Sequence, residues 1–75
     1  MELKRYIDKI HTTPMGIQRI SRNLGLSCDV VLWCKKQITE SNDITRKGKN
    51  WYVAANNSII TINAHSYTII TAHKK

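Results

Sequence analysis

The chain has 75 residues, of which twelve are Lys or Arg and five Asp or Glu, for a formal net charge of +7. A chain this short makes one domain whose core is too small to enclose a deep cavity, and it holds no apolar run near the roughly 20 residues of a membrane span. The surplus of cations, scattered through every segment, leads us to expect a polyanion as partner: RNA or another nucleic acid first, an acidic protein or ribonucleoprotein after it.

In chain order, Glu2 to Ile10 places Leu3, Tyr6, Ile7 and Ile10 at i, i+3, i+4, i+7 spacing, with Lys4, Arg5, Asp8 and Lys9 opposite. That pattern predicts a short amphipathic helix. Pro14 disfavours helical geometry at Thr13, so the first helix stops before it, and Thr13-Pro14 supplies the N-cap and first position of a second helix. The second helix, Pro14 to Leu24, is expected to bury Ile17, Ile20 and Leu24 and to expose Gln18, Arg19, Arg22 and Asn23, with Gly25 ending it in the left-handed conformation. Ser27 is the expected cap of a third helix running to about Thr39, with Asp29 in its first turn and Val30, Trp33, Cys34 and Ile38 as its buried stripe. Glu40 to Asn50 (ESNDITRKGKN) is polar and reads as a connection that clusters Arg46, Lys47 and Lys49 around Gly48.

The last third, WYVAANNSIITINAHSYTIITAH from Trp51 to His73, is rich in β-branched and aromatic residues and is divided at Asn56-Asn57 and Ala64-His65-Ser66. It predicts three strands in an antiparallel meander, with a tight Asn-Asn turn and a looser second connection. The fold expected is therefore α+β in one domain: two to three short N-terminal helices (2–39), a connecting loop (40–50) and a three-stranded antiparallel sheet (51–73) with the helices on one face. Strict alternation puts Thr68, Ile70 and Ala72 on one side of the last strand and Tyr67, Ile69, Thr71 and His73 on the other. The face turned from the helices then mixes Tyr, Thr, Asn and His, and a site is expected there. An exposed last strand would be open to pairing with its copy in a homodimer, which Lys74 and Lys75 discourage.

Cys28 and Cys34, six residues apart on one helix, lean to different faces, so neither a disulfide nor a shared metal is expected. They read as buried thiols of a reducing compartment, and with no signal-like segment after Met1 the expected location is cytoplasmic, away from membranes. His11, Cys28, Cys34, His65 and His73 show no short zinc-ligand spacing, and no glycine-rich phosphate loop occurs, so neither metal nor cofactor is expected.

Two arrangements bear on function. His11, Thr12, His65, Thr71 and His73, with the basic residues Arg46 to Lys49, are ingredients for metal-independent RNA cleavage, in which RNA supplies its own 2′-OH and the protein supplies base, acid and cations. Read blandly, the same residues are a helix-end histidine, a turn residue, strand residues and a chain end. Gln18 to Ile38 also has the spacing of a helix-turn-helix, which would make the whole a winged helix with Cys28 to Lys36 in the major groove, although Asp29, Val30 and Val31 suit base edges poorly.

The pieces DKIHTTPMGIQRISRNLGL, DVVLWCKKQI, RKGKNWYV and IITINAHSYTIITAHK resemble a small family of bacterial single-domain proteins of unknown function, over nearly the whole chain. Through Tyr67 to Lys74 and the order of elements, the chain is also distantly similar to the barnase-like, colicin-like and RelE-like toxin ribonucleases, which usually carry four or more strands. That resemblance implies Thr71 and His73 as active-site residues, with His11, Thr12, Arg46 and Lys47 joining from elsewhere. The functional expectation is an RNA-binding protein in the form of a ribonuclease-like toxin or defence factor. In it, His73 and His11 share acid-base work, Thr71 and Thr12 position phosphate, and Arg46, Lys47, Lys49, Arg19, Tyr67 and His65 hold the RNA. The alternatives are a winged-helix DNA-binding regulator and a small interaction or inhibitor protein of phage or mobile-element origin.

Overall fold

The computed structural model describes residues 2–27 and 29–74. Its elements are α1 (Glu2–Arg5), a 3-10 turn (Ile7–Lys9), α2 (Pro14–Leu24), α3 (Val30–Glu40), β1 (Asp43–Lys47), β2 (Asn50–Ala55), β3 (Ser58–Asn63) and β4 (Ile69–Lys74). The strands pair in chain order, each antiparallel to the next. The fold is α+β, and the meander has four strands where the sequence predicts three.

The extra strand is β1, inside the segment read as a loop. Only Ile44 in it is partly buried, because β1 is an edge strand whose other positions face water and need no apolar residue. Gly48, at φ 61°, is the first residue of the two-residue turn that joins Lys47 to its partner Asn50, the place where a II′ hairpin turn requires positive φ. The expected Asn56-Asn57 turn is formed, with φ 49° and 63°.

The first predicted helix breaks at Tyr6 into α1 and the 3-10 turn. Leu3 and Ile10 still reach the core, whereas Tyr6 is 37% exposed. Thr13 caps α2 by accepting the Gly16 N–H at 3.0 Å, Pro14 fills the first position and Gly25 closes the helix at φ 65°. Ile17, expected inside, is 42% exposed; Ile20 is buried as expected, and Gly16 is buried beside it. The cap of α3 is Asp29, which accepts the Leu32 N–H, and the helix starts at Val30, after the expected Ser27. Its buried residues are Val30, Cys34, Gln37 and Ile38; Gln37 bonds the Asn56 side chain and ties α3 to the β2–β3 turn. Cys28, and with it the expectation of a second buried thiol, lies outside the described residues.

One core joins the layers. Leu3, Ile10, Ile20, Val30, Cys34 and Ile38 from the helical part meet Val53, Ile60, Ile62, Ile69 and Ala72 from the sheet. In β4 the alternation expected from the sequence fails: Ile69 pairs with Ile62 and Thr71 with Thr61, so Ile70 is an extra residue in the ladder. This β-bulge resets the pleat, so that Ile69 and Ala72 both face the helices.

The outer edge of β4 is covered. His11 bridges Thr68 in parallel, through His11 N–H to Tyr67 O (3.2 Å) and Ile69 N–H to His11 O (2.7 Å). Beyond this bridge Thr12 Oγ1 donates to Ile69 O, and Asn23 Nδ2 donates to Ala72 O. Side chains thus occupy the acceptors that a second copy would need for pairing along β4, the device by which edge strands are blunted.

Candidate nucleic-acid interface

Because the strands alternate in direction, the Gly48-Lys49 turn and the 64–67 turn lie at the same end of the sheet. A hydrogen bond from Ala64 N–H to Lys49 O, at 2.8 Å, ties them together. The Asn56-Asn57 turn and the α3–β1 junction, with Glu40 and Asp43, lie at the opposite end. Chain direction therefore puts Arg46, Lys47 and Lys49 at one end, and Glu40 and Asp43 at the other together with Lys74.

At the basic end Arg46 lies on the helix side, its guanidinium 5.4 Å from the Trp51 ring centroid and its Nε donating to Gly48 O at 3.0 Å. A stacked guanidinium keeps its charge while its orientation is set. Lys47 and Lys49 are exposed. On the β4 side of this end, Asn63 Oδ1 accepts the N–H groups of His65 and Ser66 and shapes the turn, which closes on Tyr67 at φ 59°. A bulky residue in this left-handed region is an outlier costing roughly 1–2 kcal/mol. The Tyr67 ring lies 5.5 Å from that of Tyr6, and Lys9 Nζ stands 5.1 and 5.9 Å from the two centroids.

His11 is exposed beside this cluster. Its Nδ1 is 2.8 Å from Lys9 O and its Nε2 is 3.0 Å from Thr68 Oγ1, which is 2.8 Å from Ser66 Oγ. A carbonyl only accepts, so Nδ1 carries a proton, and in the neutral ring Nε2 accepts from Thr68. Nε2 is thus the accepting nitrogen of the ring, and the Thr68 hydroxyl occupies it, with Ser66 Oγ beyond.

The structure brings His11, Thr12, His65, Tyr67, Arg46, Lys47 and Lys49 to the basic end, although the Thr12 hydroxyl is already given to Ile69 O. It does not bring the remaining candidates there. His73 pairs with Ile59 near the opposite end of β4, five residues beyond Thr68 and so about 15 Å from His11 at the rise of a strand. Thr71 lies between them on the open face, and Arg19 is exposed on α2, on the helix side. Lys9, Tyr6, Ser66 and Thr68 are the neighbours that sequence reading missed; spacing put Tyr6 in the core and Lys9 on a solvated face, and only the fold of the N-terminal segment onto β4 joins them to the 64–67 turn.

The face away from the helices is an open surface of cross-strand rows. Asp43, Ala54, Ile59 and His73 form one, Thr45, Tyr52, Thr61 and Thr71 the next, and Lys47, Asn50 and Asn63 a third toward the basic end. A depression of about 490 Å³ opens there, lined by Thr45, Lys47, Gly48 and Tyr52. Among the described residues no group of three or more His, Cys, Asp or Glu side chains is placed to hold a metal ion, and no helix is long and apolar enough to cross a membrane.

Fold and surface together define a small basic α+β domain with one face of its sheet open and four of its twelve Lys and Arg residues, Lys9, Arg46, Lys47 and Lys49, at one end. The chain belongs to the family described as Protein of unknown function (DUF3781), whose model matches residues 4–73. No curated protein and no solved structure matches the chain.

Proposed function

We propose that this protein binds RNA at the basic end of its sheet. The observation that carries the reading is the convergence of Arg46, Lys47, Lys49 and Lys9 with His11 and His65 on turns tied by the Ala64–Lys49 hydrogen bond. With twelve Lys and Arg to five carboxylates the chain cannot neutralise its own positive charge, and phosphates would replace the counterions. The winged-helix reading gains less support, because α3 exposes Leu32, Lys36, Thr39 and Glu40, a set poor in base-reading groups.

Cleavage, the narrower form of this proposal suggested by the toxin-ribonuclease resemblance, rests on His11. A 2′-OH replacing Thr68 at Nε2 would pass its proton to the imidazole as it attacks phosphorus, and the 5′-oxygen would leave with a proton from water. His73, some 15 Å away along the strand, serves a different part of the surface.

The test is fluorescence anisotropy with a labelled RNA between 50 and 200 mM salt, beside a Lys47→Glu/Lys49→Glu variant. Affinity should fall with log–log slope near −2 for about three phosphate contacts, and the variant should lose at least tenfold. Absence of binding at low salt overturns the proposal and turns attention to an acidic protein partner. On a denaturing gel in EDTA, cleavage should disappear in His11→Ala and persist in His73→Ala.

A further inference from the structure

We infer that Tyr52 is a stacking site for one unpaired base, with Lys47 beside it for the backbone phosphate, so that the partner is a single strand. This rests on the RNA reading above and adds a position and a substrate class to it.

Tyr52 is unlike the other large aromatic residues. Trp33, Trp51 and Tyr67 pack against the core, and Tyr6 packs on Tyr67. Tyr52 stands on the open face between Thr45 and Thr61 of the neighbouring strands, half-buried along the wall of the 490 Å³ depression. That volume lies within the range of pockets that hold small ligands, roughly 300–1,000 Å³. Lys47 lines the same depression, so one hollow offers a flat π-surface and a cation, the pair of contacts that a nucleotide offers to satisfy.

The surroundings are polar and unspent. Thr12, Thr13, Ser21, Thr39 and Ser41 all engage backbone groups with their hydroxyls. Among the described residues, Thr45, Tyr52, Thr61 and Thr71 make no such bond, and no buried polar atom is left unpartnered. Four hydroxyl residues therefore run in one row across all four strands, about 14 Å at the spacing of a sheet; Thr61 is buried within the row, while the Thr45 and Thr71 hydroxyls flank Tyr52 at accessible positions and are free to bond sugar and phosphate oxygens. A base can lie flat on a tyrosine only when its face is exposed, which excludes the interior of a duplex, and stacking tolerates any base.

Anisotropy of a fluorescein-labelled 12-mer RNA, single-stranded and as its duplex, tests this with Tyr52→Ala, Tyr52→Phe and Lys47→Ala, each first checked for folding by circular dichroism. The single strand should bind more tightly than the duplex. Tyr52→Ala should weaken it by about 5- to 100-fold without changing the salt slope, Tyr52→Phe should stay within about twofold, and Lys47→Ala should lower the slope by about 0.7. Wild-type affinity in Tyr52→Ala, equal loss in Tyr52→Phe, or preference for the duplex overturns the inference while the basic-end reading stands. Failure of the unmodified protein to bind either RNA removes both.

Discussion

Ile69 and Ala72 stand three residues apart in β4, yet both are buried in the same core, at 1% and 0% exposure. In a regular strand residues three apart point to opposite faces. The bulge at Ile70 reconciles them, and it leaves Thr71 and His73 on the open face in register with Thr61 and Ile59. Core packing and the composition of the open face thus depend on one inserted residue.

Two adjacent isoleucines should then behave in opposite ways. Ile69→Ala should cost about 2–5 kcal/mol, enough to unfold much of so small a domain, while Ile70→Ala, at a 38% exposed position, should cost under about 1 kcal/mol. Urea denaturation of both variants measures this. A larger loss at Ile70 than at Ile69 would mean that β4 follows plain alternation.

Tyr67 separates backbone strain from ring packing. Tyr67→Gly and Tyr67→Ala both lose the contact with Tyr6, but only glycine takes φ 59° without penalty. The glycine variant should therefore be the more stable of the two by about 1 kcal/mol in thermal or urea unfolding. Equal stabilities would show that the turn reshapes once the ring is gone.

Gly16 has a steric reason for lacking a side chain. A Cβ there would clash with Thr12 Oγ1, the hydroxyl that donates to Ile69 O at 2.9 Å. Gly16→Ala must push Thr12 off the β4 edge or shift α2, and should cost about 1–3 kcal/mol despite the better helix propensity of alanine. Adding Thr12→Ala, which removes the clashing oxygen, should make the Gly16→Ala change less costly than it is beside Thr12, in the same unfolding assay. An equal cost in both backgrounds would mean that the clash is relieved by movement of the helix instead.

Much of the fold was legible because its signals are local. Thr13-Pro14, Gly25 and Asn56-Asn57 act through their own φ preferences and capping atoms, and the structure uses each where the sequence placed it. The α+β order, with helices on one face of an antiparallel meander, followed from periodicity. β1 was missed because an edge strand buries too little to leave an apolar signal; the clue available was Gly48, placed between Ile44-Thr45 and Trp51-Tyr52-Val53 as a hairpin turn would be. Ile17 and Tyr6 were misplaced because spacing identifies a helical stripe without saying which part of it meets a neighbour.

The candidate site divides in the same way. Composition alone determined that the chain is short and strongly basic, and side-chain type alone identified which groups could meet an anion. Which of them meet was decided only by the tertiary structure. Strand direction brings residues 46–49 to the 64–67 turn, the N-terminal segment carries Lys9 and His11 to the same end, and the length of β4 holds His73 away from them. These relations span tens of residues and arise from chain reversal and core packing, forces that leave no pattern in any short stretch of sequence.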